Sequence, residues 1–182
     1  MTALAVPVVA VLLVLVNVVG RDTGEGSSGA DPSGGPAEVE GTSGPQRADL
    51  PVLPVDVPPV TPEAEAACPA LMGALPLELA GEPSRRVRSD SPYAYAWGEP
   101  PIVLVCGTER PAGFLAGVGL LQINGVQWYV DTSDPDTVVW TAVDRPVYVQ
   151  VTVSSETDSA AVTALGPVIN SALPAQEPQP GP

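Results

Sequence analysis

Leu120–Val130 reads LLQINGVQWYV, and the fold is decided here. Asn124-Gly125 separates two apolar runs. Both central positions of a two-residue hairpin turn need positive φ, which Asn and Gly tolerate best. Beyond the turn, Val126, Trp128 and Val130 fall on one face of an extended chain. The segment therefore predicts two antiparallel strands with a buried side. Thr137–Val143 and Val147–Val153 predict two more, joined at Asp144-Arg145-Pro146. In the second, Val147, Val149, Val151 and Val153 alternate with Tyr148, Gln150 and Thr152, the pattern of a strand buried on one side. Ile102–Cys106, IVLVC, is apolar on both faces, as a central strand is.

Helical periodicity brackets these strands. Cys68, Leu71, Met72 and Leu75 recur at i, i+3, i+4 and i+7, which predicts a helix over Glu63–Leu75. Thr61 suits its N-cap and Pro62 its first position, and Pro76 cannot continue it. A closing helix is predicted from about Asp158 to Leu173, with Gly166-Pro167 breaking or kinking it. The expected fold class is α+β. Residues 62–173 form an antiparallel sheet with an N-terminal and a C-terminal helix packed on one face. The proline-rich tail, residues 174–182, is expected to be disordered.

The N-terminal third is a different polymer. Residues 1–20 contain the uncharged run Thr2–Gly20, with Asn17 as its one amide. Its length is close to the ~20 residues that cross a bilayer. A single-pass anchor is the expectation. The alternative is a signal peptide cleaved near Gly20, which the lack of a basic n-region weakens. No cysteine follows the run closely, so a bacterial lipoprotein anchor is excluded. Residues 21–61 read as a tether. Gly, Ser, Pro and acid dominate its first part, a composition that buries too little apolar surface to offset chain entropy. Its second part, PVLPVDVPPVTP at Pro51–Pro62, predicts a stiffer polyproline II spacer.

Composition narrows the chemistry. The net charge is -14, from 7 basic and 21 acidic residues, and every basic residue is arginine. That balance argues against nucleic acid, which is held by neutralising phosphates, and against adhesion to anionic lipid headgroups. With neither histidine nor lysine, the chain has no Ser-His-Asp triad, no histidine metal ligand, no Schiff-base lysine and no P-loop lysine. Paired carboxylates remain as the basis of a hydrolase.

Cys68 and Cys106 are the two cysteines. Cys68 lies on the apolar stripe of the first predicted helix, and Cys106 shares a strand face with Ile102 and Leu104. The thiols meet if that helix packs on that face. Their spacing is not CxxC, and a metal would lack further soft ligands. A structural disulfide is expected if the domain lies outside the cytoplasm; two buried free thiols are the intracellular alternative.

A set of landmarks resembles a known family. They are Cys68-Pro69-Ala70-Leu71 with Leu75-Pro76, Trp97-Gly98-Glu99-Pro100-Pro101 leading into Val103-Leu104-Val105-Cys106-Gly107, Asn124-Gly125-Val126-Gln127-Trp128, and Val147–Val153. Together they resemble domain of unknown function 3515, found in actinobacterial envelope proteins. The resemblance covers the folded unit and not the tether. It implies a membrane-anchored or secreted protein that retains the cysteine pair, and it carries over no catalytic residue.

The candidate ligand-binding residues are Arg85, Arg86, Arg88, Tyr93, Tyr95 and Trp97. The three aromatics alternate with Ala94 and Ala96, so an extended chain puts them on one face. Arginine forks beside aromatic faces suit an anionic glycan; the plainer reading is aromatics covering the core beside a charged, solvated edge. Asp131, Asp134 and Asp136 crowd one loop, but their spacing is not that of an EF-hand, so an exposed capped turn is expected. Gly113, Gly117 and Gly119 lack the spacing of a nucleotide loop. The sequence thus leads to a membrane-anchored, extracytoplasmic, non-catalytic interaction module. It is expected to bind a cell-wall polymer or an envelope protein and to need no cofactor or metal. The alternative is a carboxylate-based hydrolase acting on cell-wall material.

Overall fold

The computed structural model describes residues 49–182. The predicted N-terminal anchor and the Gly/Ser-rich tether up to residue 48 lie outside the described residues. Among the described residues, no helix is long and apolar enough to cross a membrane.

The elements run β1 (Leu53–Pro54), α1 (Pro62–Ala74), β2 (Glu78–Leu79), β3 (Glu82–Arg85), β4 (Val87–Arg88), β5 (Ala94–Trp97), β6 (Ile102–Thr108), β7 (Leu121–Ile123), β8 (Val126–Asp131), β9 (Thr137–Ala142), β10 (Tyr148–Ser154) and α2 (Ala160–Ala172). Eight strands form one sheet in the order β2-β3-β5-β6-β10-β9-β8-β7, every pair antiparallel. The fold is α+β, as the periodicities predicted.

Both helices lie on one face of the sheet and touch each other. Register explains why. Val149 pairs with Cys106 and Ala142, and Val151 with Leu104 and Trp140. Side chains directly opposite one another share a face, so each strand sends its apolar alternates to the same side. There they meet Leu71 of α1 and Leu165 and Ile169 of α2, all fully buried. Removing such a side chain to alanine costs about 2–5 kcal/mol.

Local chemistry sets the boundaries. Thr61 Oγ1 accepts from the Ala64 amide at 3.2 Å, capping α1 with Pro62 at its first turn. The hairpin turn has Asn124 at φ 50° and Gly125 at φ 79°, with Ile123 paired to Val126. Cys68 and Cys106 are bonded, with Cα atoms 5.8 Å apart, staking α1 to β6. Gly107 lets the helix come this close, because a Cβ there would stand 2.6 Å from Ala64 Cβ.

Three expectations are corrected. First, of the break or kink expected at Gly166-Pro167, the break is absent: α2 runs through both residues. The missing proline donor is replaced from outside the helix: Asn124 Nδ2 donates to Thr163 O at 2.8 Å. Second, the proline-rich spacer joins the fold before residue 62. β1 pairs in parallel with β4, and Leu53 N and Val55 N donate to Arg86 O and Arg88 O at 2.9 and 3.0 Å. Proline has no amide to give, but the residues between the prolines do, so an extended proline-rich chain can line an edge. Third, the tail folds back. Gln176 N donates to Asp144 O and Gly181 N to Phe114 O, at 2.8 and 2.9 Å. It runs beside a second apolar cluster of Phe114, Tyr129 and Val143. A polar tail cannot make its own core, but its backbone can satisfy a neighbouring loop.

Candidate functional site

The sheet separates the residues that the sequence grouped. Arg85 pairs across the ladder with Ala96, and Ser84 with Trp97. Arg85 therefore projects to the face opposite Tyr95 and Trp97. It is buried, and its guanidinium donates to Gly98 O at 2.9 Å, to Glu99 Oε2 at 2.6 Å and to Pro51 O at 3.0 Å. Those bonds tie the spacer and the turn after β5 to β3. Arg85 is thus a structural clamp.

The aromatics face the helices. Trp97 is fully buried, and its Nε1 donates to Pro76 O at 2.9 Å, just beyond the end of α1. Tyr95 lies against it with ring centroids 4.7 Å apart and planes tilted by 49°. Tyr93 and Tyr95 are half-buried and pack on the main core. The stripe covers the core, the plainer of the two sequence readings.

Arg86 and Arg88 differ from the other arginines of residues 62–173. Arg110 Nη1 donates to Phe114 O at 3.1 Å. Arg145 is buried, donates to Gly125 O and Asn170 Oδ1 at 2.7 and 3.0 Å, and has its Nε 3.6 Å from Asp144 Oδ1. Arg86 and Arg88 are exposed, and among the described residues neither side chain makes an ion pair or hydrogen bond. They stand two apart along an extended stretch around β4 and so project to the same side. Arg88 borders an open polar depression of about 570 Å³, together with Ser89, Asp90 and Ser91. Its shape is held by two local bonds, Ser89 Oγ to Ser91 O and Tyr93 N to Ser91 Oγ. The arrangement offers two unpaired guanidinium groups, suited to carboxylate or phosphate oxygens.

The acidic loop is a set of capped turns. Asp131 Oδ1 accepts from Ser133 N at 2.9 Å and Asp134 Oδ1 from Asp136 N at 2.8 Å. The Ser133 amide, and secondarily its hydroxyl, hold the Asp131 carboxyl below its ordinary 3.8. Among the described residues, no group of three or more Cys, Asp or Glu is placed to hold a metal. In the glycine-rich loop, Gly113 makes room for the Tyr129 hydroxyl and serves packing.

One arrangement has no signal in the sequence. Asn124, Gly125, Arg145 and Asn170 converge from the hairpin, the turn before β10 and α2. Asn124-Gly125 is legible as a turn, but nothing local shows that it docks on a helix forty residues on.

No curated protein and no solved structure matches the chain. A family model does, and its match begins at residue 2, well before the folded unit to which the resemblance was confined. Over residues 2–178 the chain matches the model described as protein of unknown function (DUF3515), and it belongs to that family.

Proposed function

We propose that this chain is a membrane-tethered, extracytoplasmic, non-catalytic module of the cell envelope that holds an anionic cell-wall polymer at Arg86 and Arg88. One observation carries the reading. Arg85, Arg110 and Arg145 are engaged with groups of the domain itself, whereas Arg86 and Arg88 stand side by side with no partner among the described residues, on an otherwise acidic protein. The acidic remainder repels a polyanion, so binding is confined to this side and is sensitive to salt. The Cys68–Cys106 bond supports an oxidising compartment, and the uncharged run Thr2–Gly20 supports the tether. The buried carboxylate among the described residues is Asp144, and its charged neighbour is Arg145 rather than a second acid. The described residues thus hold no buried pair of acids of the kind that would favour the hydrolase alternative.

Co-sedimentation of the full chain with isolated cell wall, and with polygalacturonate as a defined polyanion, tests the reading. Arg86→Ala with Arg88→Ala should reduce binding several-fold at low salt, and the difference should shrink as salt rises. Unchanged binding of the double variant across the salt series would refute it.

A further inference from the structure

A second concave feature lies away from the sheet faces. The spacer's Pro58 and Pro59, the first turn of α1 and the end of β6 enclose a cleft of about 330 Å³ with the start of β10. Its walls include the two prolines and Tyr148, and Glu63, Thr108 and Glu109 also line it. Volumes near this size hold small ligands or one long side chain.

The cleft is apolar along its walls and negative in charge. Glu63 and Glu109 are exposed, and neither has an ion pair among the described residues. Arg110 follows Glu109 in sequence and is turned towards Phe114 O and Gly181, though its charge still reaches the Tyr148 hydroxyl. The positive end of α1 offsets part of the Glu63 charge, about half a unit, so the two carboxylates still leave a net negative cleft. Among the described residues, Thr108 Oγ1 is buried without a hydrogen-bond partner. The Tyr148 hydroxyl donates to Gln179 O at 3.2 Å, which fixes the ring in the wall. Proline and tyrosine surfaces suit an aliphatic stem, and a ring face attracts a cation.

We infer that this cleft is a binding site for an organic ammonium on an aliphatic stem, of the kind carried by a lysine side chain or a free alkylamine. The stem lies along the prolines and Tyr148, and the charged head lies between Glu63 and Glu109. This site is independent of the Arg86/Arg88 surface and has the opposite charge preference.

The test is an NMR titration of the ¹⁵N-labelled full chain in nonionic detergent. The probes are n-pentylammonium, 1-pentanol as the uncharged stem, and N-acetyl-lysine N-methylamide. Pentylammonium should shift Gly107, Thr108 and Tyr148 in a saturable way and bind about fivefold to tenfold more tightly than pentanol, the scale of two partly screened carboxylates. Glu63→Gln with Glu109→Gln should remove that preference, while Arg86→Ala with Arg88→Ala should leave it. Binding of the lysine amide as well assigns the site to amines borne on a peptide or polymer; binding of pentylammonium without it assigns the site to free amines. The inference is overturned if pentanol binds as tightly as pentylammonium, if no saturable shift reaches the cleft residues, or if a folded double glutamine variant keeps full preference. Comparing the two stems on the unmodified chain decides the matter even if the variant is poorly folded.

Discussion

Asn124 supplies the hydrogen bond that Pro167 cannot. In an α-helix the amide of residue 167 would donate to Thr163 O, and proline has no amide. Asn124 Nδ2 reaches that carbonyl at 2.8 Å from the β7–β8 turn. The turn fits because position 166 is glycine: a Cβ there would stand 2.8 Å from Asn124 Cβ. Arg145 completes the dock by joining Gly125 O to Asn170 Oδ1.

This arrangement reverses the usual sign of a helical glycine substitution. Gly→Ala in a helix interior normally stabilises by about 1 kcal/mol. Gly166→Ala should instead destabilise by about 1–3 kcal/mol, because the added methyl displaces the turn. Asn124→Gly keeps the turn geometry and should lose about 0.5–1.5 kcal/mol. Adding Pro167→Ala should recover part of that loss, because the helix regains its own donor. Urea unfolding of the four members of the cycle reads the coupling. Additive effects of Asn124→Gly and Pro167→Ala would show that the two residues do not share Thr163 O.

Much of the fold was legible because its signals are local. The Asn124-Gly125 turn, the alternation in Val147–Val153 and the stripe through Cys68 and Leu71 each follow from backbone periods that a sequence displays directly. That Cys68 and Cys106 could meet followed from two such stripes together; that they are bonded is read from the structure. The misread parts share one cause. Pro167 in α2, the spacer at Leu53 and the tail at Gly181 look unstructured when only their own hydrogen-bonding capacity is counted. Each is completed by a partner distant in sequence: Asn124 bonds the Thr163 carbonyl that Pro167 leaves free, Arg86 O accepts from Leu53, and Phe114 O accepts from Gly181. The candidate site divided for a related reason. Tyr93, Tyr95 and Trp97 were correctly placed on one face, but Arg85 reaches the other face through its pairing with Ala96. The cleft beside Tyr148 draws on separate elements, and no short motif marks it.

Neighbouring arginines should behave differently. Arg85→Ala leaves Gly98 O and Pro51 O without their donor and removes a buried cation. It should cost about 2–4 kcal/mol, less than a fully buried ion pair because Glu99 is exposed. Arg86→Ala should change stability by less than about 0.5 kcal/mol. Thermal or denaturant unfolding of both variants checks this. Equal effects would mean that the Arg85 clamp is not formed in solution.

Burial against its surroundings raises the Tyr148 hydroxyl above its ordinary 10.0, with Arg110 pulling weakly the other way. A folded-state value above the unfolded one means that the folded chain holds the proton more tightly. Its contribution to stability is complete below pH 10 and is lost as pH rises through the folded value. Tyr148→Phe should flatten the alkaline limb of the stability profile and leave the neutral range nearly unchanged, because the bond to Gln179 O is exposed. An alkaline limb of the same slope in both proteins would contradict this.

The Cys68–Cys106 bond carries the firmest prediction, because structure and stability are linked through one measurement. It closes a loop with a sequence separation of 38, which corresponds to about 4 kcal/mol on chain-entropy grounds. That is a large share of the roughly 5–15 kcal/mol by which domains are stable. Both sulfur-bearing residues are buried, at 0 % and 3 % exposure, so reductant should act slowly on the folded chain and quickly once denaturant opens it. Thiol labelling of the denatured, unreduced protein should find no reactive cysteine. Cys68→Ala with Cys106→Ala should lower the unfolding free energy by most of the chain-entropy figure, whereas Cys68→Ala alone adds an unpaired buried thiol to the same loss. If the double variant is as stable as the oxidised parent, the bond only records that two cysteines met. α1 would then be held to β6 by core packing around Leu71 and Leu104 and by the close approach of Ala64 at Gly107.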